Sequence, residues 1–298
     1  MKPFRYQAPG TVAEAMAALA QSSKARPLAG GTDLLVQMRR GALDPECLID
    51  VKGIPELNTI SYDPTGGLTI GASVSCARLC ERADVRAAYP GLIDAVSIIG
   101  GAAIQGRATI GGNLCNAAPS ADSIPALIVL AATCLIAGPD GRRSVAAEAF
   151  CTAPGKTVLV PGELLVSIHV PVPLPCSGAS YVRFIPRHEM DIAVAGAGAW
   201  VRLSPDGATV VDARIALSAV APTPLFVRSA GASLRGRAPT EDAFAEAASV
   251  AQEAARPIDD VRGLITQRRH LVGVLVKRAL RAAAGRATGQ SLDSKEGV

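Results

Sequence analysis

The feature that most constrains this 298-residue chain is a pair of glycine-rich stretches about eighty residues apart. The first runs Pro27-Leu28-Ala29-Gly30-Gly31-Thr32-Asp33-Leu34-Leu35. The second runs from Ala108 through Thr109-Ile110-Gly111-Gly112-Asn113 to Ala118-Pro119-Ser120-Ala121-Asp122. Each follows an apolar approach and ends in small polar groups and an Asp. Paired glycines let backbone N–H groups close on an anion. Thr32, Thr109, Asn113 and Asn116 add side-chain donors, and Asp122 is an acceptor suited to a ribose hydroxyl. Two such stretches are what a chain needs to wrap the pyrophosphate of a dinucleotide. Neither has the Gly-x-Gly-x-x-Gly spacing of the Rossmann fingerprint, so a dinucleotide bound here sits on another fold. Plainer roles stay open: tight turns with no ligand, and Asp33 or Asp122 as helix caps.

Composition narrows the setting. Apolar residues are 49% and charged residues 19%, the balance of a packed chain of two or three domains. The net charge of +4 is spread out, and aromatic residues are only 3%. That scarcity of stacking platforms argues against nucleic acid as a partner. The longest apolar run, 126–138, is too short to span a bilayer, and the stretch Met1-Lys2-Pro3-Phe4-Arg5-Tyr6 has no apolar h-region of a signal peptide; a cytoplasmic location is the expectation. The seven cysteines are odd in number and form no Cys-x-x-Cys pair. The histidines His169, His188 and His270 lie far apart. Neither a disulfide framework nor a compact metal site is expected.

Thr11 to Glu14 is a capping-box pattern opening a helix to Ala20. Strands are expected over 26–28 and 47–51, with a short helix or turn from Leu34, a small α/β unit. Leu68 to Gly71 reads as a strand, Ser75 as the cap of a helix over 76–88, and Leu92 to Ile99 as a second helix after the break at Pro90-Gly91. A helix over 124–130 follows the Asp122-Ser123 cap. A hairpin turns at Gly138-Pro139-Asp140-Gly141, and Glu163 to Val170 reads as a strand. Pro171 to Gly178 is the best linker. Three β-rich segments follow (180–185, 192–203 and 208–220), then helices over 240–255 and 262–284.

The two glycine stretches resemble the FAD-binding subunit of the xanthine dehydrogenase/carbon monoxide dehydrogenase family of molybdenum hydroxylases. Ala29 to Leu35 is similar to the family's first pyrophosphate loop. Thr109 to Asn113 with Ala118 to Asp122 is similar to the second, and Arg187-His188-Glu189-Met190-Asp191-Ile192-Ala193 to the motif that opens its C-terminal domain. The similarity extends to about residue 285. It implies an α+β protein with the vanillyl-alcohol-oxidase-type (PCMH-type) FAD-binding fold and a C-terminal three-stranded antiparallel sheet with helices. It divides the chain into lobes over 1–57 and 58–175, a C-terminal domain over 176–287 and a disordered tail over 288–298.

What the resemblance implies for the site is specific. Leu28, Ala29, Gly30, Gly31, Thr32, Asp33 and Leu34, with Thr109, Ile110, Gly111, Gly112 and Asn113, would hold the FAD pyrophosphate. Asp122 would bind on the adenosine side. Ile99 would pack on the flavin face, Leu164 or Leu165 would line the adenine or ring pocket, and Arg183 would lie near the flavin. No His or Cys stands in the first stretch, so FAD is expected to be non-covalent. Molybdopterin and two iron–sulfur clusters are expected on a large and a small partner subunit, in a dimer of heterotrimers. Electrons would pass from iron–sulfur centres through FAD to NAD or another acceptor, with no catalytic side chain on this chain. Two other readings compete: a stand-alone reductase on a related fold, resembling the UDP-N-acetylenolpyruvylglucosamine type, and a module that keeps the fold without the flavin.

Overall fold

The structure, a computed structural model, describes residues 2–187 and 190–290. Its first sheet is parallel, with β1 (Arg5–Gln7), β2 (Ala25–Leu28) and β3 (Cys47–Asp50) in the order β1-β3-β2. Helix α1 (Val12–Ala20) joins β1 to β2, and α2 (Leu34–Arg39) joins β2 to β3. The Thr11 hydroxyl accepts the Glu14 N–H at 3.2 Å, and the Glu14 carboxylate accepts the Gly10 N–H at 2.8 Å. This is the expected capping box with its return bond moved one residue outward. Val12, Ala15, Ala18 and Leu19 then fall on one buried face. All four residues of β3 are buried, as suits the centre of a parallel sheet.

The second sheet is antiparallel. Its strands are β4 (Ile60–Asp63), β5 (Gly67–Gly71), β6 (Thr133–Gly138), β7 (Gly141–Ala146) and β8 (Leu164–Val170), in the order β4-β5-β8-β6-β7. Between β5 and β6 lie α3 (Pro90–Val96), α4 (Ile110–Asn116) and α5 (Ser123–Val129). The single helix expected after Ser75 is split into Cys76–Glu81 and Ala83–Ala88. Arg82 between them is extended, with ψ 105°, and its guanidinium binds Asp84 and the Ile60 carbonyl. Pro90 both ends that run and starts α3 at its first position, where a missing N–H costs nothing. One continuous core joins the first two sheets.

The third sheet is antiparallel, with β9 (Ser177–Phe184), β10 (Ala195–Leu203), β11 (Val210–Ser218) and β12 (Leu225–Phe226) in sequential order. Three long strands make the expected sheet, and the two-residue β12 adds a fourth at its edge. Helices α6 (Glu241–Ala254) and α7 (Ile265–Ala287) form a second core with the sheet. Strand β10 has protein on both faces. Ala195, Ala197, Ala199, Val201 and Leu203 join the core with α6 and α7, while a Cβ on Gly198 would come 3.1 Å from the Pro125 carbonyl oxygen of α5. Helix α5 itself is buried at all seven positions. The small residues of β10 thus let α5 lie close against the third sheet.

Helix α7 runs past Gly285, its expected end, to Ala287. Arg286 explains the extra length: its guanidinium is held by Asp94 of α3 and by the Ala179 carbonyl. His188 and Glu189 of the 187–193 motif lie outside the described residues, as do residues 291–298 of the expected tail. Among the described residues no helix is long and apolar enough to cross a membrane. All seven cysteines are free thiols.

Candidate cofactor-binding site

The two glycine stretches, distant in sequence, form walls of one cavity of about 630 Å³, a size usual for small-molecule and cofactor sites. They touch at their base: a Cβ on Gly30 would sit 2.1 Å from the Arg107 carbonyl oxygen. Gly31 has φ +77°, a conformation that favours glycine. Among the described residues, the backbone N–H groups of Gly30, Gly31, Thr32 and Asp33 donate to no protein acceptor. Each of these residues lines the cavity, as do Ala29 and Leu34.

The second stretch is a helix start, where the sequence reads as a loop. Thr109 caps α4, its hydroxyl accepting the Gly112 N–H at 2.9 Å. Glycine costs a helix about 1 kcal/mol relative to alanine, and packing accounts for Gly111: a Cβ there would meet the Ala72 carbonyl oxygen at 2.4 Å. Thr109, Gly111, Gly112, Asn113 and Asn116 all line the cavity. Gln37 of α2, which sequence reasoning did not single out, donates to Asn116 Oδ1 at 3.0 Å and bridges the two walls. Its position one helical turn beyond Asp33 was the available signal.

The remaining walls are aliphatic in good part, with Ser73, Thr157 and Glu163 among them. Ile99, Leu57, Leu159, Leu164 and Leu165 line the cavity, and no Phe, Tyr or Trp does. Consecutive strand residues ordinarily point to opposite faces. Leu164 and Leu165 both line the cavity at the start of β8, and the pairing of β8 with β6 shifts register just beyond them, between Leu165 and Ser167. Cys115 also lines the cavity, and burial pushes its thiol up to about 12; it is no thiolate at neutral pH. Arg26 is a lining cation, its guanidinium tied to the carbonyls of Ser23 and Ala25.

Four expected site residues lie elsewhere. Leu28 packs with Met38 and Leu48, and Ile110 is buried in the main core. Asp122 and Arg183 do not line the cavity. They bond each other at 2.5 Å, buried between α5 and β9. Tyr181 donates to the other Asp122 oxygen at 2.8 Å and meets the Ser218 hydroxyl at 3.1 Å. Asp122 precedes α5 without capping it, because its carboxylate is taken by these partners. Burial pushes its carboxyl up to about 6, against the pull of Arg183 and the Tyr181 hydroxyl. A Cβ on Gly196 would strike the Tyr181 hydroxyl at 2.4 Å, so that glycine makes room for the cluster. Tyr181 and Ser218 carried no sequence signal, since each reads as an ordinary inward residue of an alternating strand.

Two glycine-rich walls, the first with unspent backbone donors, set between a parallel and an antiparallel sheet, define a dinucleotide-binding protein outside the Rossmann class. Comparison with known proteins gives the particular family. Residues 2–173 match the family described as FAD binding domain in molybdopterin dehydrogenase, and residues 180–283 match the CO dehydrogenase flavoprotein C-terminal domain. The chain is 37% identical over 284 residues to the carbon monoxide dehydrogenase medium chain of Hydrogenophaga pseudoflava, covering 95% of this chain and 98% of that one. It is 33% identical over 290 residues to the xanthine dehydrogenase FAD-binding subunit of Escherichia coli O157:H7, covering 96% and 97%. Among solved structures, a Cu,Mo-CO dehydrogenase in its cyanide-inactivated form superposes with TM-score 0.91 at 34% identity, covering 96% of this chain and 100% of that one. The chain belongs to the FAD-binding subunits of the xanthine dehydrogenase/CO dehydrogenase family of molybdenum hydroxylases, and it is an oxidoreductase component of the α+β fold that family shares.

Proposed function

We propose that this chain is the electron-relaying FAD subunit of a heteromeric molybdenum hydroxylase, working between iron–sulfur centres on a partner and NAD or another acceptor. The carrying observation is the set of backbone N–H donors at Gly30 to Asp33 that meet no protein acceptor, on residues lining the same cavity as Ile99, Leu164 and Leu165. In this reading Ala29 to Asp33, with Thr109, Gly111, Gly112 and Asn113, hold the pyrophosphate. Ile99, Leu164 and Leu165 give the flavin apolar contact, and their bulk keeps water from it. Asp122 and Arg183 act one layer back, fixing α5 against the third sheet. The FAD itself supplies the redox chemistry when bound. The chain's part is to bind and orient it and to set its surroundings.

The names of two relatives, a CO dehydrogenase medium chain and a xanthine dehydrogenase FAD-binding subunit, support partners of larger and smaller size for this chain. The molybdopterin and the iron–sulfur clusters belong on those partners, in a cytoplasmic assembly. Division into lobes over 1–57 and 58–175 and a C-terminal domain over 176–287 is part of the same reading. Affinity purification of the full chain from its native cells tests it. The expected result is co-purification of two further polypeptides carrying molybdenum and iron, and flavin bleaching by substrate only in that complex. An unaccompanied chain that reduces a small substrate with NAD(P)H would overturn it.

A further inference from the structure

We propose that Ser123 fixes the side-chain amide of Asn113 as a hydrogen-bond donor to the FAD pyrophosphate, and is thereby a positioning residue for the cofactor. The inference rests on the FAD reading of the cavity. Asn113 lines the cavity, whereas Ser123, ten residues on, is fully buried behind it. The Ser123 hydroxyl donates to Asn113 Oδ1 at 2.6 Å, and the Ser123 backbone N–H approaches the same oxygen at 3.4 Å.

The second contact removes the ambiguity of the amide. A backbone N–H can only donate, so the atom facing Ser123 is the carbonyl oxygen. Both of its lone pairs are then occupied. The NH₂ group is left, and among the described residues it donates to no protein acceptor. Orientation matters here because Asn113 lines the cavity beside Gly111 and Gly112, so its side-chain amide meets whatever anion that wall holds. A flipped Asn113 would turn an oxygen toward the phosphate oxygens and repel them. Ser123 opposes that flip, and Asp122 beside it anchors the backbone that carries it.

FAD affinity of the full chain, freed of flavin and titrated by quenching of flavin fluorescence, tests the proposal. Asn113→Ala and Ser123→Ala are each expected to weaken binding, the latter by about tenfold, as loss of one oriented donor would. In the double variant the Ser123→Ala change is expected to cost nothing further, since its partner is gone. A purely structural Ser123 would instead cost the same in both backgrounds and would overturn the proposal, as would an unchanged affinity of Ser123→Ala. Should Ser123→Ala fail to fold, Asn113→Asp decides. It keeps the shape and the bonds from Ser123 but faces the cofactor with an oxygen, so it is expected to bind more weakly than Asn113→Ala. Wild-type affinity in Asn113→Asp would overturn the proposal. A wild-type chain that takes up no FAD would instead overturn the FAD reading itself.

Discussion

Individual residues here are constrained as much by backbone as by side chains. Gly30 is not interchangeable with alanine, because the new methyl would lie 2.1 Å from a main-chain oxygen that cannot swing away. We expect Gly30→Ala to force the two walls apart and weaken FAD binding at least about tenfold, roughly 1.4 kcal/mol. Gly53→Ala, where a Cβ meets nothing within 4 Å, should bind as wild type; equal losses in the two variants would contradict the account. Asp122 gives a pH signature. Its carboxyl ionises near 3.8 in the unfolded chain and at about 6 in the fold, chiefly because burial disfavours the charge. The folded state therefore holds the extra proton between those values, so its contribution to stability is full below pH 3.8 and is lost as pH rises through 6. Urea denaturation from pH 4 to 7 should show the wild type losing stability relative to Asp122→Asn. Parallel profiles would show that Asp122 does not titrate there.

At the scale of elements, the sequence was legible where local chemistry decides. The box at Thr11 and the three β-rich segments after Pro171 to Gly178 foretold α1 and the three long strands of the third sheet. Helix α4 was not legible. Two glycines in its first turn argue for a loop, and only the approach of Ala72, some forty residues away in sequence, shows what they are for. The same blindness hid the partners of Asp122, because Tyr181 and Arg183 lie about sixty residues on, in strand β9 of the third sheet. The glycine walls were visible as motifs; which neighbours each side chain chooses is set by long-range packing. Thr109 holds the start of α4, so Thr109→Ala should cost about 1 kcal/mol of stability and loosen the Gly112 end of the wall. Chemical denaturation with and without FAD checks this. The account expects a larger loss in the FAD-bound chain, and an unchanged stability in both would contradict the capping role.

Across the molecule, four ion pairs among the described residues link the third sheet and its helices to the rest: Arg183 with Asp122, Arg214 and Arg228 with Glu148, and Arg286 with Asp94. The guanidinium groups of Arg214 and Arg228 both lie over the Phe226 ring, 4.3 and 4.4 Å from its centroid. The Arg286 pair is buried on both sides and also meets the Ala179 carbonyl. Breaking such a pair from one side leaves an uncompensated charge and costs about 3–5 kcal/mol. Arg286→Met should therefore lower unfolding stability by that order. A loss under about 1 kcal/mol, the usual worth of a surface pair, would mean that the contact does not hold the parts together.

The central claim is that the two glycine walls form one FAD clamp. The visible spectrum of the purified full chain after incubation with FAD tests it most directly. The account predicts flavin absorbance bound in stoichiometric amount and released into the supernatant on acid precipitation. A colourless chain that takes up no FAD would contradict it.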